Sequence, residues 1–215
     1  MTEPQVLQLF SKISDSASEK VMALPEPELK TQGTTPFSAL STFQLSQLGL
    51  NLPASIMFRG RKFVTPHQEQ DSSHHVTIIN KKLGVKIKAA LDQLSAKDKI
   101  IKIEQIKELL SSANLKVKLT QQVYFLERDI IRESGPENRV SLIIMLNVAG
   151  LAELYKKFNQ LGVDVGEPHP AHLSLYIGEG QKYGIGLDSK AQFEAAIAAG
   201  KSGATQGLRA IPILF

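Results

Sequence analysis

Two of the five histidines sit in the same four-residue context. One fragment is His75-Val76-Thr77-Ile78 and the other His172-Leu173-Ser174-Leu175: histidine, aliphatic, hydroxyl, aliphatic. Successive side chains of a strand alternate faces, so each imidazole shares a face with the hydroxyl two residues on, about 7 Å away, while the aliphatic residues face a core. Imidazole titrates near neutral pH. One ring can take a proton from water or a ribose hydroxyl while a second, protonated ring gives one to a leaving oxygen. The Thr77 and Ser174 hydroxyls can donate hydrogen bonds to the non-bridging oxygens of a phosphate as charge builds on them. Such chemistry demands no metal, and the two rings exchange roles when the reaction is reversed, so hydrolysis and ligation can use one site. Either histidine alone reads as a strand residue satisfied inside the fold; it is the pairing that points to chemistry.

Other residues compete less well. His74 has Val76 at its own second position and therefore points away from His75. His67 with His74 and His75, or His169 with His172, would offer metal ligands, but no helical His-Glu-x-x-His and no nearby carboxylate set accompanies them, and no metal is expected. Gly178-Glu179-Gly180-Gln181-Lys182-Tyr183-Gly184 is one residue too long for a dinucleotide fingerprint. Gly200-Lys201-Ser202 resembles the end of a phosphate loop, yet Ala195 stands where the first glycine is required, and a helix stop is the better reading. Tyr176 and Tyr183 follow the second motif closely and can stack on a base or ribose or pack at a rim. Arg61, with Arg59 and Lys62, can line the cleft as a substrate ligand, in competition with Arg128, Arg132 and Arg139.

The elements that must hold these groups follow from periodicity. Pro4 to Leu24 suits an amphipathic helix interrupted by the polar run from Ser14 to Ser18, and Pro25-Glu26-Pro27 with residues 30–36 suits an extended linker. Ser55 to Val64 reads as a strand pair or a bent strand around Gly60, and His75 to Asn80 as a buried strand after the polar loop of residues 65–73. Val85, Ile87, Ala90, Leu91 and Leu94 mark one helix, and Ile100, Ile103, Ile106, Leu109 and Leu110 a second. Strands over residues 115–131 and 139–148 flank turn chemistry at residues 134–138, a β-hairpin. A helix over residues 151–161 stops at Gly162. Short strands cover 163–165 and 171–177, a helix runs from Ser189 to Ala199, and the apolar Ile211 to Phe215 is expected to dock on the body.

The 215-residue chain is long enough for one large domain or two lobes, and with no cysteine it excludes disulfides, a thiolate nucleophile and cysteine-bound zinc. No apolar run approaches the roughly 20 residues of a spanning helix, and no secretory signal is evident, so the expectation is a cytoplasmic protein without a membrane partner. The net charge is +4, but residues 81–118 carry ten lysines against four acids, +6 in that segment and −2 elsewhere. A solvated helical face explains such a run more simply than a dedicated RNA track, although a basic stripe beside a cleft would attract a polyanion.

The paired fragments lie 97 residues apart with helices and a hairpin between them, and in this they resemble the two-histidine (2H) phosphoesterase superfamily of RNA 2′-5′ ligase-like proteins and cyclic phosphodiesterases. The run from Leu154 to Gly162, followed by Pro168 to Leu175, is similar to that superfamily's helix, glycine and second-motif strand. The resemblance covers roughly residues 55–177. It implies an α+β fold, bilobed and pseudo-two-fold, with antiparallel-rich sheets lining a central cleft and helices outside. It implies His75 and His172 as acid and base, Thr77 and Ser174 as phosphate ligands, an RNA or nucleotide substrate with a 2′,3′-cyclic phosphate or 2′-5′ linkage, and no cofactor. The expected organisation is an N-terminal extension over 1–52, a core over 53–180 and a C-terminal extension packing on it over 181–215. The alternative is a non-catalytic RNA- or nucleotide-binding module that keeps the same cleft.

Overall fold

A computed structural model of the chain describes residues 1–17, 20–31, 37–48, 50–66, 73–132, 135–204 and 207–215. His67, most of the loop before the first motif, residues 32–36 of the expected linker, the side chain of Arg132 and the hairpin turn at residues 133–134 lie outside them. In chain order the elements are α1 (Glu3–Ala17), β1 (Val21–Ala23), β2 (Glu28–Lys30), β3 (Ser38–Gln44), β4 (Ser55–Phe58), β5 (Arg61–Val64) and β6 (Ser73–Ile79). They continue as α2 (Lys81–Asp92), α3 (Ala96–Ser111), β7 (Lys116–Arg132), β8 (Gly135–Ala149), α4 (Leu151–Gln160), β9 (His172–Gly178), α5 (Lys190–Ser202) and β10 (Leu208–Pro212).

The fold is α+β, and every strand pairing in it is antiparallel. The larger sheet runs β1-β7-β8-β9-β5-β4, with β10 also on β7; the smaller runs β2-β3-β6. The long hairpin β7–β8 is its backbone, and alternation along β8 sorts the core. Leu142, Ile144 and Leu146 face the main cluster, which also takes in Val76 and Ile78 of β6 and residues of α1 to α4. Ile143 and Met145 face the opposite side, where Ile185, Leu187 and Phe193 cover them. Helix starts follow side-chain capping: Asn80 accepts from the Leu83 amide, Ser95 from Asp98 and Ser189 from Gln192, each satisfying an amide that has no partner inside its helix.

Local periodicity alone would misplace several segments. The first 52 residues, expected as an extension of helix plus linker, enter both sheets: Val21 to Ala23 pair with β7, and β3 pairs with β6. Val6 and Phe10 are fully buried, and the Phe10 ring meets Phe58 edge-on at 6.4 Å. The helix ends at Ala17, within the expected polar interruption, and does not resume toward Leu24, because Val21 to Ala23 pair with β7 as a strand. No strand forms over 163–165. Gly200 does not end the last helix, which runs on to a left-handed cap at Gly203. A β-carbon at Gly200 would lie 2.5 Å from the Ala210 carbonyl oxygen, so glycine there serves the close approach of α5 to β10. At the C-terminus Ala210 and Ile213 are buried, but Leu214 is 83% exposed and does not dock as expected.

Candidate active site

The two motif strands belong to different sheets. β6 is the edge of the smaller sheet, β9 lies inside the larger one, and they pack beside each other without pairing. Alternation holds through both motifs: Val76, Ile78, Leu173 and Leu175 are buried in the main core, while His75, Thr77, His172 and Ser174 retain solvent access. These four line one recess of about 40 Å³, together with Pro66, His74 and Leu173. The same four also wall a larger cavity of about 570 Å³ between the two sheets, within the size range of small-ligand sites. His74, expected on the other face, is buried and touches only the recess.

Local contacts fix the rings. The His172 Nδ1 donates to the Pro170 carbonyl at 3.0 Å, which leaves Nε2 as the proton acceptor of the neutral ring. Burial lowers the His172 pKa, and the Pro170 and Ile185 carbonyls act in the opposite direction. A β-carbon on Gly184 would sit 2.8 Å from the Ser174 hydroxyl oxygen, so the segment after β9 lies directly against the second motif. The Ile185 amide donates to the Ser141 hydroxyl at 3.0 Å and pins that segment to β8.

A further group was not foreseen as part of the site. Tyr155 of α4 donates its hydroxyl to the Ile78 carbonyl of β6 at 2.9 Å, and His169 Nδ1 bonds the same hydroxyl oxygen at 3.0 Å. The chain is thereby tied from the first-motif strand, through a helix, to the loop that feeds the second. Burial drives the His169 pKa down to about 4, with the nearby His172 adding to the effect, so this ring is neutral at pH 7. Burial likewise raises the Tyr155 hydroxyl well above its ordinary value. In the sequence Tyr155 is indistinguishable from any aromatic on an amphipathic helix; the one available signal was a histidine held between Pro168 and Pro170.

Two expected substrate ligands are not at the site. Tyr176 should share a face with His172 and Ser174, but Ser174 pairs with Ile143 and Tyr176 with the very next residue, Leu142. This bulge at Leu175 inverts the alternation, so Tyr176 turns into the main core and gives its hydroxyl to the Pro53 carbonyl, while Ile177 takes the cavity face. Arg61 is engaged elsewhere: it donates to Asn138 at 2.6 Å and Glu127 at 3.0 Å across the outer part of the sheet. Arg128, Arg139 and Arg59 do not line the cavity either, and the side chain of Arg132 lies outside the described residues. Arg128 donates to the Gly186 carbonyl, Arg139 pairs with Glu137, and Arg59 lies over the Phe58 and Phe125 rings. Lys62 pairs with Glu179. Tyr183, in contrast, lines the cavity and is exposed.

The lysine-rich segment behaves mainly as a solvated face. Lys88 and Lys99 both pair with Asp92, Lys107 pairs with Glu104, and of its ten lysines only Lys81 lines the larger cavity. Among the described residues no helix is long and apolar enough to cross a membrane. Compared with protein-family models, curated proteins and solved structures, the chain matches none of them.

Proposed function

We propose that the chain is a phosphoesterase of the two-histidine type, acting without a metal on the 2′,3′-cyclic phosphate or 2′-5′ phosphodiester of an RNA or nucleotide. The observation that carries this reading is the convergence of His75, Thr77, His172 and Ser174, from two strands of two sheets, on one recess. In hydrolysis of a cyclic phosphate, water attacks phosphorus and one phosphorus–ribose oxygen bond breaks. His172, whose burial favours the neutral ring, takes the proton of the water at Nε2. His75 gives a proton to the departing ribose oxygen, and Thr77 and Ser174 donate hydrogen bonds to the two non-bridging oxygens. The product is a phosphomonoester, and proton exchange with solvent resets the two rings.

The narrowness of the recess favours a second reading, a module that binds RNA or nucleotides in the cavity without turnover. Assays on 2′,3′-cyclic nucleotides and 2′-5′ oligonucleotides in EDTA separate the two. The enzyme gives a bell-shaped pH profile, and His75→Ala or His172→Ala lowers kcat/KM about a hundredfold or more. If the double variant, with unchanged circular dichroism, cleaves as fast as the parent, the assignment of these histidines is wrong. Steeply salt-dependent binding with no product on long incubation identifies the binding module.

A further inference from the structure

The larger cavity reaches well past the two motifs, and its walls carry three more cations from separate parts of the chain. Lys30 comes from β2, Lys81 is the first residue of α2, and Lys182 follows β9. Among the described residues none of the three has a carboxylate partner; Lys182 lies over the Tyr183 ring at 5.4 Å. Among the described residues the one acidic side chain on the cavity wall, Asp188, is already paired with Lys82 at 2.9 Å. Lys81 also sits in the first helical turn with no acid beside it, where the helix's own partial positive charge disfavours a cation until an anion arrives.

These lysines differ from the others along α2 and α3. Lys82, Lys88, Lys99 and Lys107 are each paired with a carboxylate, whereas Lys30, Lys81 and Lys182 are remote in sequence and meet at one concavity. The imidazoles and hydroxyls of the recess already account for one phosphate, so the lysines require a second. We infer that Lys30, Lys81 and Lys182 form a second phosphate subsite, and that the preferred ligand is a nucleotide or short RNA end bearing a phosphate besides the one held by the histidines. This extends the phosphoesterase reading of the same cavity.

Equilibrium binding of adenosine 3′,5′-bisphosphate and adenosine 3′-monophosphate tests the subsite directly. The bisphosphate is expected to bind about tenfold or more tightly at low salt, as charge-assisted phosphate contacts allow. The Lys30→Gln, Lys81→Gln, Lys182→Gln triple variant should lose that preference. Lys97→Gln, Lys156→Gln, Lys157→Gln removes equal charge from exposed positions that do not line the cavity and should keep it. Equal affinity of the two nucleotides for the parent overturns the inference, as does equal loss in both triple variants, which would mean that net charge alone is felt. Replacing the 5′-phosphate by the internal phosphate of a dinucleotide distinguishes a mononucleotide ligand from an RNA end. Turnover of 2′,3′-cyclic nucleotides is measured separately: preference for the bisphosphate without turnover retains the subsite and removes the enzymatic reading.

Discussion

Ser174 is held in place by what is missing next to it. A methyl group at Gly184 would meet its hydroxyl oxygen at 2.8 Å, while the Ile185 amide anchors the same segment to Ser141. Gly184→Ala is therefore expected to displace the hydroxyl or the segment and to lower kcat/KM roughly ten- to a hundredfold, the cost of a misplaced reacting group, with little change in Tm. An unchanged kcat/KM would mean that Ser174 does not act on the phosphate. At this scale the motifs were legible because alternation in a strand depends on nothing but the strand, and it places His75 with Thr77 and His172 with Ser174. Tyr176 was not legible, since one bulge residue supplied by pairing with β8 reverses its face. Nor was Arg61, whose acceptors Glu127 and Asn138 lie 66 and 77 residues away.

The tie between α4, β6 and the loop before β9 makes one buried imidazole a sensor of acid. His169 has a pKa of about 4 in the fold against an ordinary value near 6.5, so on acidification the unfolded chain takes up a proton that the native chain refuses. Its neutral form costs nothing above pH 6.5, and stability is lost as pH falls from there toward 4. By pH 4.5 the loss is roughly 2 to 3 kcal/mol, and the lowered His172 acts in the same direction. Urea midpoints between pH 7.5 and 4.5 should fall less steeply for His169→Gln, which cannot titrate, than for the parent; identical slopes would show that the ring is not the group being titrated. The helices were readable from their apolar stripes and caps, and so was the hairpin. The three-residue strands β1 and β2 were not, because strands so short exist only through their partners, and the partner of β1 begins at Lys116.

For the whole molecule, the first 52 residues belong to the two sheets and their core, which has physical consequences. β6 carries the first motif and among the described residues has β3 as its only pairing neighbour, and α1 buries Val6 and Phe10. A chain lacking residues 1–52 loses both, so it is expected to be aggregated or unfolded by size exclusion and far-ultraviolet circular dichroism. A soluble, monomeric fragment with native-like ellipticity would show instead that the core stands alone. Most individual helices and strands were legible from the two periods along the sequence, while the α+β class was what the resemblance implied. The sharing of one core between two sheets was not, since it rests on long-range pairings that leave no local trace.

One pairing bears on how the molecule is made. The outer edge of β7 is covered from two directions, by β1 near the start of the chain at Lys116 to Lys118 and by β10 near its end at Tyr124 to Arg128. A nascent polypeptide leaving the ribosome can satisfy the first stretch as soon as β7 emerges, but the second stays bare until β10 follows β8, α4, β9 and α5. During that interval its open amides and carbonyls are a template for another molecule's strand, so the arrival of β10 also closes a route to self-association.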